Sequence, residues 1–89
     1  MRYGKFVGEL NKGIEGRIVA YDYQNEGCVL HLNDGCTKVT VAESVIDGQK
    51  DEALSALRSR IRAQDWGSRD MALVLKGGHL VFERHRELA

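Results

Sequence analysis

Apolar residues gather in three short stretches in the first half of the chain, separated by polar and glycine-containing gaps. The runs "RIVAYDY" (17–23), "CVLHLN" (28–33) and "TKVTVA" (37–42) are rich in β-branched and aromatic residues and are bounded by turn-forming ones. That pattern predicts three strands. The gap between the second and third holds Asp34-Gly35, the preferred pair for a two-residue type I′ turn. It sets Leu32 opposite Thr37, His31 opposite Lys38, Leu30 opposite Val39 and Cys28 opposite Val41. The gap from Gln24 to Gly27 sets Tyr23 opposite Cys28, Tyr21 opposite Leu30 and Val19 opposite Leu32. Both registers agree on one apolar face: Val19, Tyr21, Tyr23, Cys28, Leu30, Leu32, Val39 and Val41. A slip of one residue would turn all of them outward, so agreement between two independent turns supports the assignment.

The spacing then changes. In "DGQKDEALSALRSRIRAQDWG" (47–67), Leu54, Leu57 and Ile61 recur at helical spacing beside Ala53. Asp47 reads as the N-cap and Gly67 as the stop. Asp51 and Glu52 fall early while Arg58, Arg60 and Arg62 fall late, an order that suits the helix dipole. Strand composition returns in "MALVLKGGHLVFER" (71–84), where a Gly77-Gly78 turn pairs Lys76 with His79, Leu75 with Leu80, Leu73 with Phe82 and Met71 with Arg84. Met71, Leu73, Leu75, Leu80 and Phe82 form its apolar face.

The expected fold is α+β with the order β-β-β-α-β-β: an antiparallel three-stranded meander, one helix, then a β-hairpin. A five-stranded barrel of the oligonucleotide/oligosaccharide-binding type, OB-like, accommodates the same order. Residues 1–15, punctuated by Gly4, Gly8 and Gly13, read as an N-terminal arm or short extra strand. Residues 16–84 form a single compact domain and 85–89 a C-terminal tail. One helix is about 10 Å wide and strands lie about 4.8 Å apart, so a single helix covers roughly two strands. Barrel closure, the N-terminal segment or a second copy of the chain must cover the rest of the apolar face.

Composition adds exclusions. With 43% hydrophobic and 29% charged residues among 89, the chain is an ordinary globular domain. Its 13 basic and 13 acidic side chains cancel, so it lacks the electrostatic footprint of a duplex-binding protein. No apolar run approaches membrane-spanning length and the N-terminus has no signal-peptide core. Two cysteines make no disulfide framework, and the expected compartment is the cytoplasm. Cys28 and Cys36 lie about 17 Å apart along the strands at ~3.4 Å per residue, too far to bridge. Cys28, His31 and Cys36 fit no zinc spacing, so neither a metal nor a cofactor is expected.

The candidate interaction residues are Trp66 and Arg69 in the loop before the fourth strand, with Arg58 and Arg62 on the helix. Trp66 suits three roles: a plug over the open end of the core, a partner anchor, or a stacking surface. His31 beside Lys38 and His79 beside Lys76 are weaker candidates, because no nucleophile or carboxylate accompanies either histidine in the sequence. The glycines of "KGGH" match no phosphate-loop spacing. These readings favour a small non-enzymatic interaction module, a homodimer joined through uncovered apolar sheet and Trp66, or engaging another protein. The alternative is a single-stranded nucleic-acid binder using Trp66, Arg69, Lys38, His31 and the arginines of the helix and the C-terminal tail. Against it, Tyr21 and Tyr23 fall on the core face, and the other sheet face offers no aromatic for stacking. No acid–base pair supports an enzyme.

Overall fold

Tyr3, Phe6, Val7 and Leu10 recur at i, i+3, i+4 and i+7, the spacing of a helical stripe. All four are buried on a helix, α1 (Arg2–Lys12), and Ile14 extends the stripe just past its end. The computed structural model describes residues 2–24, 27–64, 66 and 69–85. The N-terminal segment is therefore neither an arm nor a strand. Gly4 and Gly8 lower helix propensity, but burial of the Phe6 and Leu10 side chains, about 2–3 kcal/mol each, outweighs about 1 kcal/mol per glycine.

The chain continues through β1 (Ile18–Gln24), β2 (Gly27–Leu32), β3 (Lys38–Ala42), the short helix α2 (Glu43–Gly48), α3 (Lys50–Ala63), β4 (Asp70–Lys76) and β5 (His79–Arg84). The five strands form one open sheet in the order β1-β2-β3-β4-β5. Three pairings are antiparallel. The fourth, β3 with β4, is parallel, with Val39 beside Met71 and Val41 beside Leu73. The sheet is thus mixed rather than wholly antiparallel, and it is not a closed barrel. A chain leaving β3 through a helical crossover returns to run alongside it, whereas a short turn would have reversed it.

Registers follow the turns. Tyr23 pairs with Cys28, Tyr21 with Leu30, His31 with Lys38, Leu30 with Val39 and Cys28 with Val41. The second hairpin pairs Lys76 with His79, Leu73 with Phe82 and Met71 with Arg84. Gly77 and Gly78 both take positive φ, 57° and 80°, as a type I′ turn demands. Two details differ from expectation. Between Ile18 and Ala20 the register shifts, so Ile18 pairs with Leu32 and is buried, while Val19 is 64% exposed. An extra residue in a strand inverts the alternation beyond it. Asn11 fixes this start of β1: its Oδ1 accepts from Ile18 N at 2.9 Å and its Nδ2 donates to Ile18 O at 3.0 Å.

The β2–β3 connection is the second difference. Leu32 N donates to Thr37 O across a four-residue loop, and Asp34 does not take the positive φ of a type I′ turn. Its carboxylate instead gathers the backbone N–H groups of Cys36 and Thr37, each at 2.8 Å. The register survives because Leu32 faces Thr37 in either turn.

The helix also begins and ends away from its expected signals. Asp47 lies within α2, Gln49 occupies the N-cap position of α3, and Gln64 ends α3 in the left-handed conformation with its N–H on Arg60 O. Gly67 lies outside the described residues. All three helices cover one sheet face and share a core with Cys28, Leu30, Leu32, Val39, Val41, Met71 and Leu73. Here α1 supplies the cover that one helix could not. No helix among the described residues is long and apolar enough to cross a membrane.

Candidate interaction surface

Val29 and Ala72 are buried, at 5% and 4% exposure, yet neither joins the apolar cluster that the helices pack against. They lie on the sheet face opposite the helices. Register carries a row across this face from Asp22 through Val29, Thr40 and Ala72 to Glu83. A second row runs from Ala20 through His31 and Lys38 to Asp70. Val74 and Val81 pair farther along and are half-buried. The middle of the face is therefore built from short apolar or hydroxyl side chains.

Its margins carry histidine–carboxylate contacts and lysine–carboxylate ion pairs. His31 Nε2 lies 2.7 Å from Asp22 Oδ2. Lys38 Nζ and His85 Nδ1 both approach Asp70, at 3.9 and 3.5 Å. At the far end Lys76 Nζ meets Glu83 Oε2 at 2.6 Å. Each lysine thus points its charge to a carboxylate while keeping its histidine as a cross-strand neighbour. Pairing by direct opposition misses the carboxylate beside His31, because Asp22 reaches it diagonally, from the residue pair next along the ladder. Among the described residues no cluster of three metal-ligating side chains forms.

The loop candidates sit elsewhere. Trp66 is 8% exposed on the helical side, edge-on to Phe82 with ring centroids 6.0 Å apart. Arg60 lies over Phe82 at 4.7 Å. Together they close the β5 end of the core, which is the plug arrangement. Trp66 and Arg69 do share a cleft of about 270 Å³ with Arg17, Asn33, Asp34 and Gln64. Arg69 Nη1 donates to Asp34 Oδ2 at 3.2 Å and Thr37 Oγ1 at 3.3 Å. Arg17 Nη1 donates to Ile61 O at 3.1 Å, near the end of α3. Hydrogen bonds from the Thr37 hydroxyl, then from the Thr37 and Cys36 amides, pull Asp34 down to a pKa of about 2. These groups brace the turn against α3.

Arg58 and Arg62 both reach the end of α1, donating to Glu9 O at 2.7 Å and Gly13 O at 2.5 Å. Carbonyls left over at a helix C-terminus are thereby satisfied by cations. The eight candidates thus divide among three places: His31, Lys38, Lys76 and His79 on the uncovered face, Trp66 and Arg69 in the cleft, Arg58 and Arg62 against α1.

The arrangement defines a two-layer α+β domain with helices on one face of a mixed sheet. Comparison with family models, curated proteins and solved structures returns no match.

Proposed function

We propose that the protein is a small non-enzymatic interaction module that self-associates through the uncovered face of its sheet. The observation that carries this reading is the sheet face opposite the helices, where Val74 and Val81 stand half-exposed beside Val29, Thr40 and Ala72, which the surrounding side chains already bury. A second copy suits this face better than a charged partner. Its acids, Asp22, Asp70 and Glu83, already contact Lys38, Lys76, His31 or His85 within the chain, so the face presents little unmatched charge to attract a charged partner. Five strands at about 4.8 Å, each about six residues long at ~3.4 Å, give roughly 500 Å² in projection. Two such faces bury about 1,000 Å², the lower bound for a specific interface and the size of a weak, reversible dimer.

Trp66 supports the surface indirectly, by closing the core beneath β5. Two free thiols accord with a cytoplasmic setting. Single-stranded nucleic acid has less support, since the described residues of the face include no aromatic and its charges balance.

Sedimentation or light scattering across about micromolar to millimolar concentration tests the reading. Mass should rise with concentration for the wild type. Val81→Lys, at a half-buried position on this face, should stay monomeric with an unchanged circular dichroism spectrum. A wild type that stays monomeric throughout overturns the proposal.

A further inference from the structure

A groove of about 680 Å³ runs along α3 where the helix passes the end of α1. Gly13, Ser55, Arg58, Ser59, Arg62 and Ala63 line it. Residues three, four and seven apart share a helix face, so two hydroxyls and two guanidiniums converge without a carboxylate among them. Glu9, on the neighbouring helix, gives its own carboxylate to Lys50 Nζ at 3.0 Å.

Two observations go beyond capping of α1. Each arginine spends a single terminal N–H on a carbonyl, Arg58 Nη2 on Glu9 and Arg62 Nη2 on Gly13. Arg58 Nε is buried against Gly13 with no hydrogen-bond partner, so the packing that fixes the guanidinium leaves its terminal nitrogens to meet an anion. A Cβ on Gly13 would stand 2.4 Å from that Nε and 2.7 Å from Arg58 Cδ, so the glycine leaves the room that the guanidinium occupies. The result is one guanidinium held by Glu9 O at Nη2 and packed on Gly13 at Nε, and a second cation, beside two hydroxyls.

We propose that this groove binds a phosphate group. A tetrahedral oxyanion presents several acceptor oxygens in different directions, which suits donors arriving from Ser55, Ser59, Arg58 and Arg62 together. Charge-assisted hydrogen bonds from arginine to phosphate are the strongest contacts available to such a set. The tethers to α1 hold the forks in place before the anion arrives, reducing the ordering cost of binding.

Amide chemical shifts are followed while inorganic phosphate, or separately adenosine monophosphate, is added at constant ionic strength to about 10 mM, a range that captures millimolar affinity. Saturable shifts centred on Ser55, Arg58, Ser59 and Arg62 are expected with both. Ser59→Glu, on the solvent side of α3, should weaken binding at least about tenfold by setting a carboxylate in the groove. Arg62→Gln should weaken it in the same direction, with folding of each variant checked by circular dichroism. The proposal is overturned if neither ligand gives saturable shifts, if only the nucleotide does, or if folded Ser59→Glu binds like the wild type.

Discussion

Asp34 shows how much of a turn one side chain can hold. Its carboxylate accepts from two backbone amides, the Thr37 hydroxyl and Arg69. Replacing it with alanine leaves Thr37, 1% exposed, without its acceptor. The cost should be about 1–3 kcal/mol in urea unfolding. Because folding lowers this carboxyl from 3.8 to about 2, its contribution is complete above the unfolded value and lost as pH falls through about 2. Wild-type stability should fall over that acid window more steeply than the stability of Asp34→Asn. The two thiols also diverge. Burial pushes Cys28 up to about 11, whereas Cys36 is exposed on the turn. A thiol reagent at neutral pH should therefore modify Cys36 in the folded protein and reach Cys28 only on unfolding. Equal rates at both cysteines would contradict the buried position of Cys28.

At the scale of elements, α1 is as much a part of the core as the strands. Phe6→Ala should cost about 3–5 kcal/mol and bring the chain close to unfolding at room temperature. Asn11→Ala, which frees both backbone groups of Ile18, should cost about 1–3 kcal/mol. Denaturant titration of both variants checks these values, and a Phe6→Ala protein as stable as wild type would refute the packing of α1. The strand registers were legible because turns are local: Gly77-Gly78 and the Asp34 loop fix which residues face each other, and the side-chain period does the rest. The stripe of α1 was legible too, in Tyr3, Phe6, Val7, Leu10 and Ile14, but interspersed glycines masked it. Val19 misleads for a different reason. A bulge consumes one residue without a sequence signal, and only the grip of Asn11 on Ile18, seven residues away, shows where it falls. The parallel pairing of β3 and β4 has no local signature, since nothing in either strand states which neighbour it takes. Site residues followed the same division: the β1–β2 register already sets Asp22 diagonal to His31, while Gly13 beside Arg58 depends on tertiary packing.

At the scale of the whole molecule, the sheet consists of two antiparallel sets. Strands β1 to β3 pair among themselves, as do β4 and β5, and the only pairing that joins the sets is β3 with β4. The chain crosses between them once, through α2 and α3. Cleavage at Gln49, between those helices, would yield a fragment 1–48 with three strands and α1, and a fragment 49–89 with α3 and the second hairpin. Each would expose half a core, so neither should fold alone, yet their complementary surfaces and the parallel edge remain intact. Mixing the two should restore the native circular dichroism spectrum in a concentration-dependent way. A native spectrum from either piece alone, or none from the mixture, would count against it. One parallel seam thus makes this small domain a natural candidate for a split protein, rebuilt from two chains.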